Sequence, residues 1–485
     1  MNRREFLAAG MAATTARPNI LMILMDDMAA RSLSCYGNPH VRTPHLDRLA
    51  AEGMRFTQAY VTPQCTPTRA TFLTGQYTAR HRMWHVIPWY GYPWARVAEP
   101  AYGESLPRTA FTLAKGLRAA GYATACLGKW HLTTGADGDY GTLRPEGAGH
   151  YGFDEGMERI PNAVMAADRG VDLLSEQAMR FMERHRARPW FCYLSHHAIH
   201  NVLAAPGELV RKYLDKGYPA TGLNNATLLA SMEHMDAGIG RVLGRLAELG
   251  LAERTAVVFM TDNGGIYQQY DPAPVRTADG WRLRQRDVLF ESTPLREGKG
   301  FAYEGGIRVP LIVRWPGVVK RGGECGQAVH IVDLMPTFFE MAGAKAPAGY
   351  VMDGRSLVPL LAGRSMSRRA LYWYMPLYDI RWAGTPCAVV LDGDYKLIEY
   401  FGDSFDAENG AAYRIGNRLE LYNLRADVGE KRDLAGALPK VVARLRAELH
   451  RWIESCGSPV PGLNPAYDPA RALEETKKRQ LTPAG

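Results

Sequence analysis

The sequence predicts an α/β protein: a large, mainly parallel sheet sandwiched by helices, then a small C-terminal antiparallel sheet with one packed helix. Three observations carry that expectation. Apolar, β-rich runs alternate with helical patterns through the first three quarters of the chain, as in sheets covered on both faces by crossover helices. From about Ala370, short strand-like pieces follow one another without helices between them, an antiparallel pattern. At 485 residues, 46% hydrophobic and 22% charged, the chain exceeds one ordinary domain and keeps a globular composition.

Asn19-Ile20-Leu21-Met22-Ile23-Leu24-Met25 is the first strand. Thr43-Pro44 opens a helix through Leu46, Leu49 and Ala50, and Gly53 ends it. Pro67 suits the first turn of a second helix that residues 68–74 continue. A helix with Leu113, Leu117 and Ala120 leads to a strand at 123–127. Val171, Leu174, Ala178 and Phe181 share a helix face ahead of a strand at 191–194. Leu228, Met232, Met235, Ile239, Val242 and Leu246 form the core stripe of a long helix at 224–249, which delivers the chain to a strand at 256–260. The segment 268–292 reads as a long, polar, Arg-rich loop of the kind that carries function. The later strands fall at 371–374, 388–391, 395–400 and 420–424, with a Leu- and Arg-rich helix at 438–453. We divide the chain into a catalytic α/β domain over 17–365 and a smaller α+β subdomain over 366–485.

The formal net charge of +8 admits an anionic substrate. The basic residues are scattered and no nucleic-acid motif accompanies them, so no nucleic-acid partner is expected. No apolar run approaches the roughly 20 residues of a membrane-crossing helix, so no integral membrane span is expected. Seven cysteines (35, 65, 126, 192, 325, 387, 456) lie far apart, without zinc-like spacing or a disulfide framework. Residues 1–16, with Arg3-Arg4 before an Ala/Gly/Thr stretch, resemble a twin-arginine export signal. It implies a periplasmic or secreted protein, or a cytoplasmic one if the signal does not function.

The chemistry-bearing residues gather at the carboxyl ends of strands, where open α/β sheets bind ligands. The first strand ends in Asp26-Asp27, and the strand at 256–260 in Thr261-Asp262-Asn263-Gly264. Asp26, Asp27, Asp262 and Asn263 offer only hard oxygen donors, which suit calcium or magnesium better than zinc. Gly128-Lys129-Trp130-His131 and Ser195-His196-His197-Ala198-Ile199-His200 end two other strands. Cys65-Thr66-Pro67-Thr68-Arg69 puts a cysteine at the positive end of its helix, with Arg69 one turn in, an arrangement that attracts an oxyanion.

These segments together resemble the type I sulfatases of the alkaline phosphatase-like superfamily, landmark by landmark from residue 19 to about 430. Cys65-Thr66-Pro67-Thr68-Arg69 is similar to the family's C-x-P-x-R motif, and Gly128 to Leu132 to its Gly-Lys-Trp-His block. Pro294-Leu295-Arg296-Glu297-Gly298-Lys299-Gly300 is similar to its catalytic-lysine region, and Asp353 to Leu357 and Glu420 to Leu424 to its later scaffold. The resemblance implies that a formylglycine-generating maturase oxidises Cys65 and that Asp26, Asp27, Asp262, Asn263 and the modified residue 65 hold calcium, with magnesium second. It further implies attack by the formylglycine hydrate on sulfur through a covalent sulfo-enzyme intermediate. Arg69, Lys129 and Lys299 would hold the sulfate oxygens. His200, with Lys299, would protonate the departing alcohol, and His131 would take the proton that releases sulfate.

Two other readings stand beside this one: hydrolysis of phosphonate or phosphate esters on the same scaffold, and noncatalytic binding of a sulfated glycan with Cys65 left as a thiol. For substrate, a sulfated small molecule or carbohydrate is expected. The aromatic segment at 84–94 suggests stacking on a sugar, with packing beneath a loop as the alternative.

Overall fold

The computed structural model describes residues 17–476 apart from 89–90, 268, 272–273, 278–279 and 407–411, so the twin-arginine-like stretch at 1–16 and Trp89-Tyr90 lie outside the described residues. Within them, eight strands form the main sheet. In chain order they are β1 (Asn19–Met25), β2 (Met54–Tyr60), β3 (Ala123–Gly128), β4 (Trp190–Ser195), β5 (Thr255–Thr261), β6 (Arg308–Arg314), β7 (Gly323–Cys325) and β8 (Val329–His330). The order across the sheet is β7-β2-β6-β5-β1-β4-β3, and β8 pairs with β2 farther along. All pairings are parallel except those of β6, which runs antiparallel to both β2 and β5.

The central strand explains why the first apolar run has no polar alternation. Ile20, Met22 and Leu24 enter one core while Leu21, Ile23 and Met25 enter the other, because successive side chains of a strand point to opposite faces and both faces are covered. Helices α2 (Cys65–Thr74) and α3 (Leu113–Ala119) pack with the first set. Helices α1 (Pro44–Glu52), α4 (Val171–Arg184) and α5 (Ala226–Glu248) pack with the second. The α5 stripe from Leu228 to Leu246 is buried as its spacing predicts. Asn225 caps α5 by accepting from the Leu228 N–H at 3.0 Å, and Thr112 caps α3 from Lys115 at 3.1 Å. Thr43 precedes α1 but does not cap it, because its hydroxyl is drawn to Ser34 and Asp47. The Asp236 carboxylate on α5 accepts from the His45 and Leu46 N–H groups instead, at 3.1 and 2.9 Å.

The C-terminal sheet is antiparallel and ordered β9 (Leu371–Met375), β10 (Cys387–Asp392), β11 (Tyr395–Tyr400), β12 (Arg418–Asn423). Helix α7 (Pro439–Ser455) packs on it through Val442, Leu445, Leu449 and Ile453, after α6 (Leu334–Ala342) on the main sheet. Trp373 of β9 donates its Nε1–H to Val61 O at 2.7 Å, and its ring joins Tyr60 in one apolar cluster. A buried charge network joins the same two parts. Lys396 Nζ lies 3.1 Å from Glu304 Oε1 and 2.8 Å from Glu430 Oε1. Tyr60 donates to Glu304 at 2.9 Å, and the Glu304 N–H donates to Glu430 at 2.7 Å.

All seven cysteines are free. The segment at 268–292 is more structured than a loop, since Gln269–Tyr270 pairs with Gln285–Asp287 and Val275–Thr277 with Gly280–Arg282. No helix among the described residues is long and apolar enough to cross a membrane.

Candidate active site

The topology brings the polar strand ends together. Asp26-Asp27 follow β1, Asp262-Asn263 follow β5, Lys129 and His131 follow β3, and His196 to His200 follow β4, all at the carboxyl edge of neighbouring parallel strands. Because β6 is antiparallel, its beginning lies at that same edge, and the loop entering it delivers Lys299. Helix α2 starts there too, with Cys65 as its first residue. Close backbone approach makes glycine necessary at two points. A Cβ on Gly264 would meet Gly305 O at 1.9 Å, and one on Gly128, whose φ is 96°, would meet Ser195 O at 2.0 Å.

Cys65 is 1% exposed, and its Sγ lies 3.3 Å from both Asp26 Oδ1 and Asn263 Oδ1. Burial, with Asp26 and Asp262 beside it, pushes the thiol well up, so it stands as a neutral S–H. Lys129 Nζ sits 2.5 Å from Asp26 Oδ2, and Lys299 Nζ lies 2.6 and 2.9 Å from the two oxygens of Asp27. Against the cost of burial, Lys129 holds the Asp26 carboxyl well below its ordinary range. Asp27 is pushed up to about 6 by burial, opposed by Lys299 and reinforced by Asp26 and Asp262.

Arg69 spends its donors inside the protein. Nε and Nη2 donate to Asp262 Oδ2 at 3.0 and 2.7 Å, and Nη1 reaches Lys129 O, Tyr193 OH and Ser195 Oγ. Its charge therefore reaches the reaction centre through Asp262 and the Lys129 backbone. His131 Nε2 lies 3.1 Å from Ile87 O, and among the described residues its Nδ1 has no hydrogen-bond partner. His200 Nδ1 meets Asn201 O, and its Nε2 lies 3.7 Å from Asp27 Oδ2. Burial lowers both imidazoles, with Lys129 adding to it at His131 and Lys299 at His200, so both rings rest neutral.

Every sequence-predicted site residue thus falls in one cluster. Ligand atoms of Asp26, Asp27, Cys65 and His200 lie within 4.8 Å of one another. Asn263 Nδ2 is 2.7 Å from Asp27 Oδ1, and the Asp27 N–H is 3.4 Å from Asp262 Oδ1. Asp26 and Asp27 bring two fully buried carboxylates to this group, with the Asp262 carboxylate and the Asn263 amide oxygen buried beside them, hard oxygen donors of the kind a divalent cation takes.

Sequence reasoning missed several neighbours. Tyr140, beyond β3, lies over Lys129 and against His131 and His200, and no motif signals it. Gln64, just before Cys65, donates to Asp379 at 2.8 Å across 315 residues, and His85 Nε2 meets the same carboxylate at 2.7 Å. Tyr193 was visible only as a strand residue, and Ser195 only as the start of the histidine segment. Trp84, in the aromatic segment, is buried edge-on to Tyr374 and donates its Nε1–H to Thr78 O, which is packing beneath a loop.

The sulfatase family model matches residues 18–344, and a second model, N-sulphoglucosamine sulphohydrolase, C-terminal, matches 298–455. Arylsulfatase A of Homo sapiens is 31% identical over 91% of this chain and 88% of its own length. Steryl-sulfatase of Mus musculus is 31% identical over 75% of this chain and 69% of its own. The solved structure of Ps i-CgsB in complex with k-i-k-neocarrahexaose has the same fold, with a TM-score of 0.69 at 23% identity, covering 90% of this chain and 93% of that one. The chain belongs to the sulfatase family, within the alkaline phosphatase-like superfamily. It is a sulfuric ester hydrolase, and the family implies a formylglycine and a divalent metal.

Proposed function

We propose that this sulfatase acts on a sulfated carbohydrate, using a formylglycine that a maturase makes from Cys65 and calcium held by Asp26, Asp27, Asp262 and Asn263. The observation that carries the reading is the setting of Cys65: its Sγ is 3.3 Å from Asp26 and Asn263 oxygens, with Lys129 and Lys299 on the adjoining carboxylates. When bound, the cation supplies Lewis-acid charge, and formylglycine supplies an oxygen nucleophile in place of the thiol.

Lys129 and Lys299 are the preorganised cations for the sulfate oxygens. Arg69 keeps Asp262 and the Lys129 backbone in register with them. His131, with Nε2–H donating to Ile87 O, keeps Nδ1 free to accept a proton. His200, neutral with Nδ1–H directed to Asn201 O, carries a lone pair on Nε2, so the proton for the departing alcohol comes from the Lys299 ammonium, directly or relayed through His200 Nε2. The carbohydrate reading is supported by the match of residues 298–455 to the N-sulphoglucosamine sulphohydrolase C-terminal model. Export to the periplasm or beyond rests on Arg3-Arg4 and the residues after them.

Removing divalent cations with a chelator is expected to lower turnover roughly 100-fold or more, the scale of a Lewis acid worth several kcal/mol. Calcium should restore it better than magnesium. Steady-state assays on sulfated monosaccharides, with phosphonate and phosphate esters alongside, check the reading. Full activity after chelation would sink the metal role, and turnover of phosphonates alone would sink the substrate class.

A further inference from the structure

Among the described residues, Tyr140 is a partly exposed aromatic at the reaction centre. It is 37% exposed, whereas Lys129 and His131 beneath it are buried. Lys129 Nζ lies 4.6 Å from its ring centroid, and the His131 ring meets it edge-on at 4.4 Å. Its hydroxyl is 3.2 Å from His200 Nδ1 and 3.4 Å from Lys129 Nζ. The phenol, pushed up to about 12 by burial, stays neutral. The ring is therefore clamped by three groups that border the reacting atoms, and its remaining surface faces solvent. In the proposed mechanism the leaving oxygen lies toward His200, whose ring the Tyr140 hydroxyl reaches, so the group attached to that oxygen would pass along Tyr140.

We propose that Tyr140 is a specificity-determining platform on which the first ring of the leaving group, a pyranose, stacks. A pyranose presents an apolar C–H face, and a rigid, pre-clamped tyrosine offers contact area at little entropic cost. The inference rests on the carbohydrate reading above for the identity of the ring, and on the site geometry for the platform itself.

The test uses protein whose residue 65 has been converted, as wild type and as Tyr140→Phe, Tyr140→Leu and Tyr140→Ala, with thermal unfolding recorded for each. The substrates are a monosaccharide sulfate, 4-nitrophenyl sulfate and a ringless alkyl sulfate. Leu and Ala are expected to raise KM for the two ring-bearing esters roughly 3- to 10-fold, the scale of one aromatic contact. Phe should stay within about 2-fold of wild type, kcat should move less than KM, and the alkyl sulfate should be indifferent. Equal changes for ringed and ringless esters, or a fall in kcat at constant KM, would overturn the platform. If wild type hydrolyses no carbohydrate sulfate yet the aryl ester shows the KM pattern, the platform stands and the carbohydrate reading fails. If all variants share one KM for the monosaccharide sulfate, the platform fails and the carbohydrate reading stands.

Discussion

Replacing Cys65 with Ala is expected to cut turnover of sulfate esters by at least about 10³-fold, the scale of losing a covalent nucleophile, while the fold survives. The two halves of that expectation have separate causes. Among the described residues the thiol's hydrogen bonds go to two oxygens, Asp26 Oδ1 and Asn263 Oδ1, and alanine keeps the backbone at the start of α2. Loss of one small buried group leaves packing nearly unchanged, so thermal unfolding should shift by only a few degrees. Activity falls because the proposed nucleophile is made from residue 65, whose Sγ lies beside Asp26 and Asn263 with Lys129 and Lys299 on the adjoining carboxylates. Parallel measurement of kcat and of the unfolding midpoint checks both halves. A variant that keeps more than a tenth of wild-type kcat would remove Cys65 from the mechanism.

The second large effect is structural and lies away from the chemistry. Lys396→Met is expected to destabilise the protein by about 3–5 kcal/mol near pH 8, because it leaves the buried Glu430 without its cation and Glu304 with Arg308 alone, 3.5 Å away. Glu304, Lys396 and Glu430 are all fully buried. Burial and the adjacent Glu304 raise the Glu430 carboxyl from an ordinary 4.5 to about 7, with Lys396 opposing them. The folded state therefore holds this proton where the unfolded state has lost it. Between about pH 4.5 and 7 the native protein binds more protons, so Glu430's contribution falls as pH rises through that window. Removing Lys396 lifts that carboxyl further and extends the loss to higher pH, so the variant should recover part of its stability between pH 8 and 6. Chemical unfolding at both pH values measures this. Equal destabilisation at the two would mean that the lysine contributes packing alone.

The same network links the C-terminal sheet to catalysis, since Glu304 closes the loop that delivers Lys299 and β11 supplies Lys396. Here sequence and structure part company. The strands that build the site, β1, β3, β4 and β5, were legible because burial on both faces makes them continuous apolar runs with polar residues at their ends. Strand β2 was not, because Met54-Arg55-Phe56-Thr57-Gln58-Ala59-Tyr60 alternates into polar positions. Nor was β6, where Pro310 falls at a register shift between Val309 and Leu311, a position at which the ladder needs no N–H. The antiparallel course of β6 is nonetheless what carries Lys299 to the site.

The residues of the cluster were legible for a chemical reason: acidic pairs and basic blocks at strand ends have few roles other than binding. Their partners were not. Arg69 gave a clear positive charge in sequence, and only the fold shows that charge locked on Asp262. Asp379 is separated from Gln64 by 315 residues, and Tyr140 sits in a loop whose composition of small and polar residues says nothing of the histidines it covers.

The most direct measurement is the mass of the peptide containing Cys65, taken from protein made in its native host or with a formylglycine-generating maturase co-expressed. The mechanism predicts an aldehyde or its hydrate at residue 65, with the thiol lost. An unmodified thiol in fully active material would contradict it and leave the lysines, histidines and carboxylates of the site serving some other chemistry.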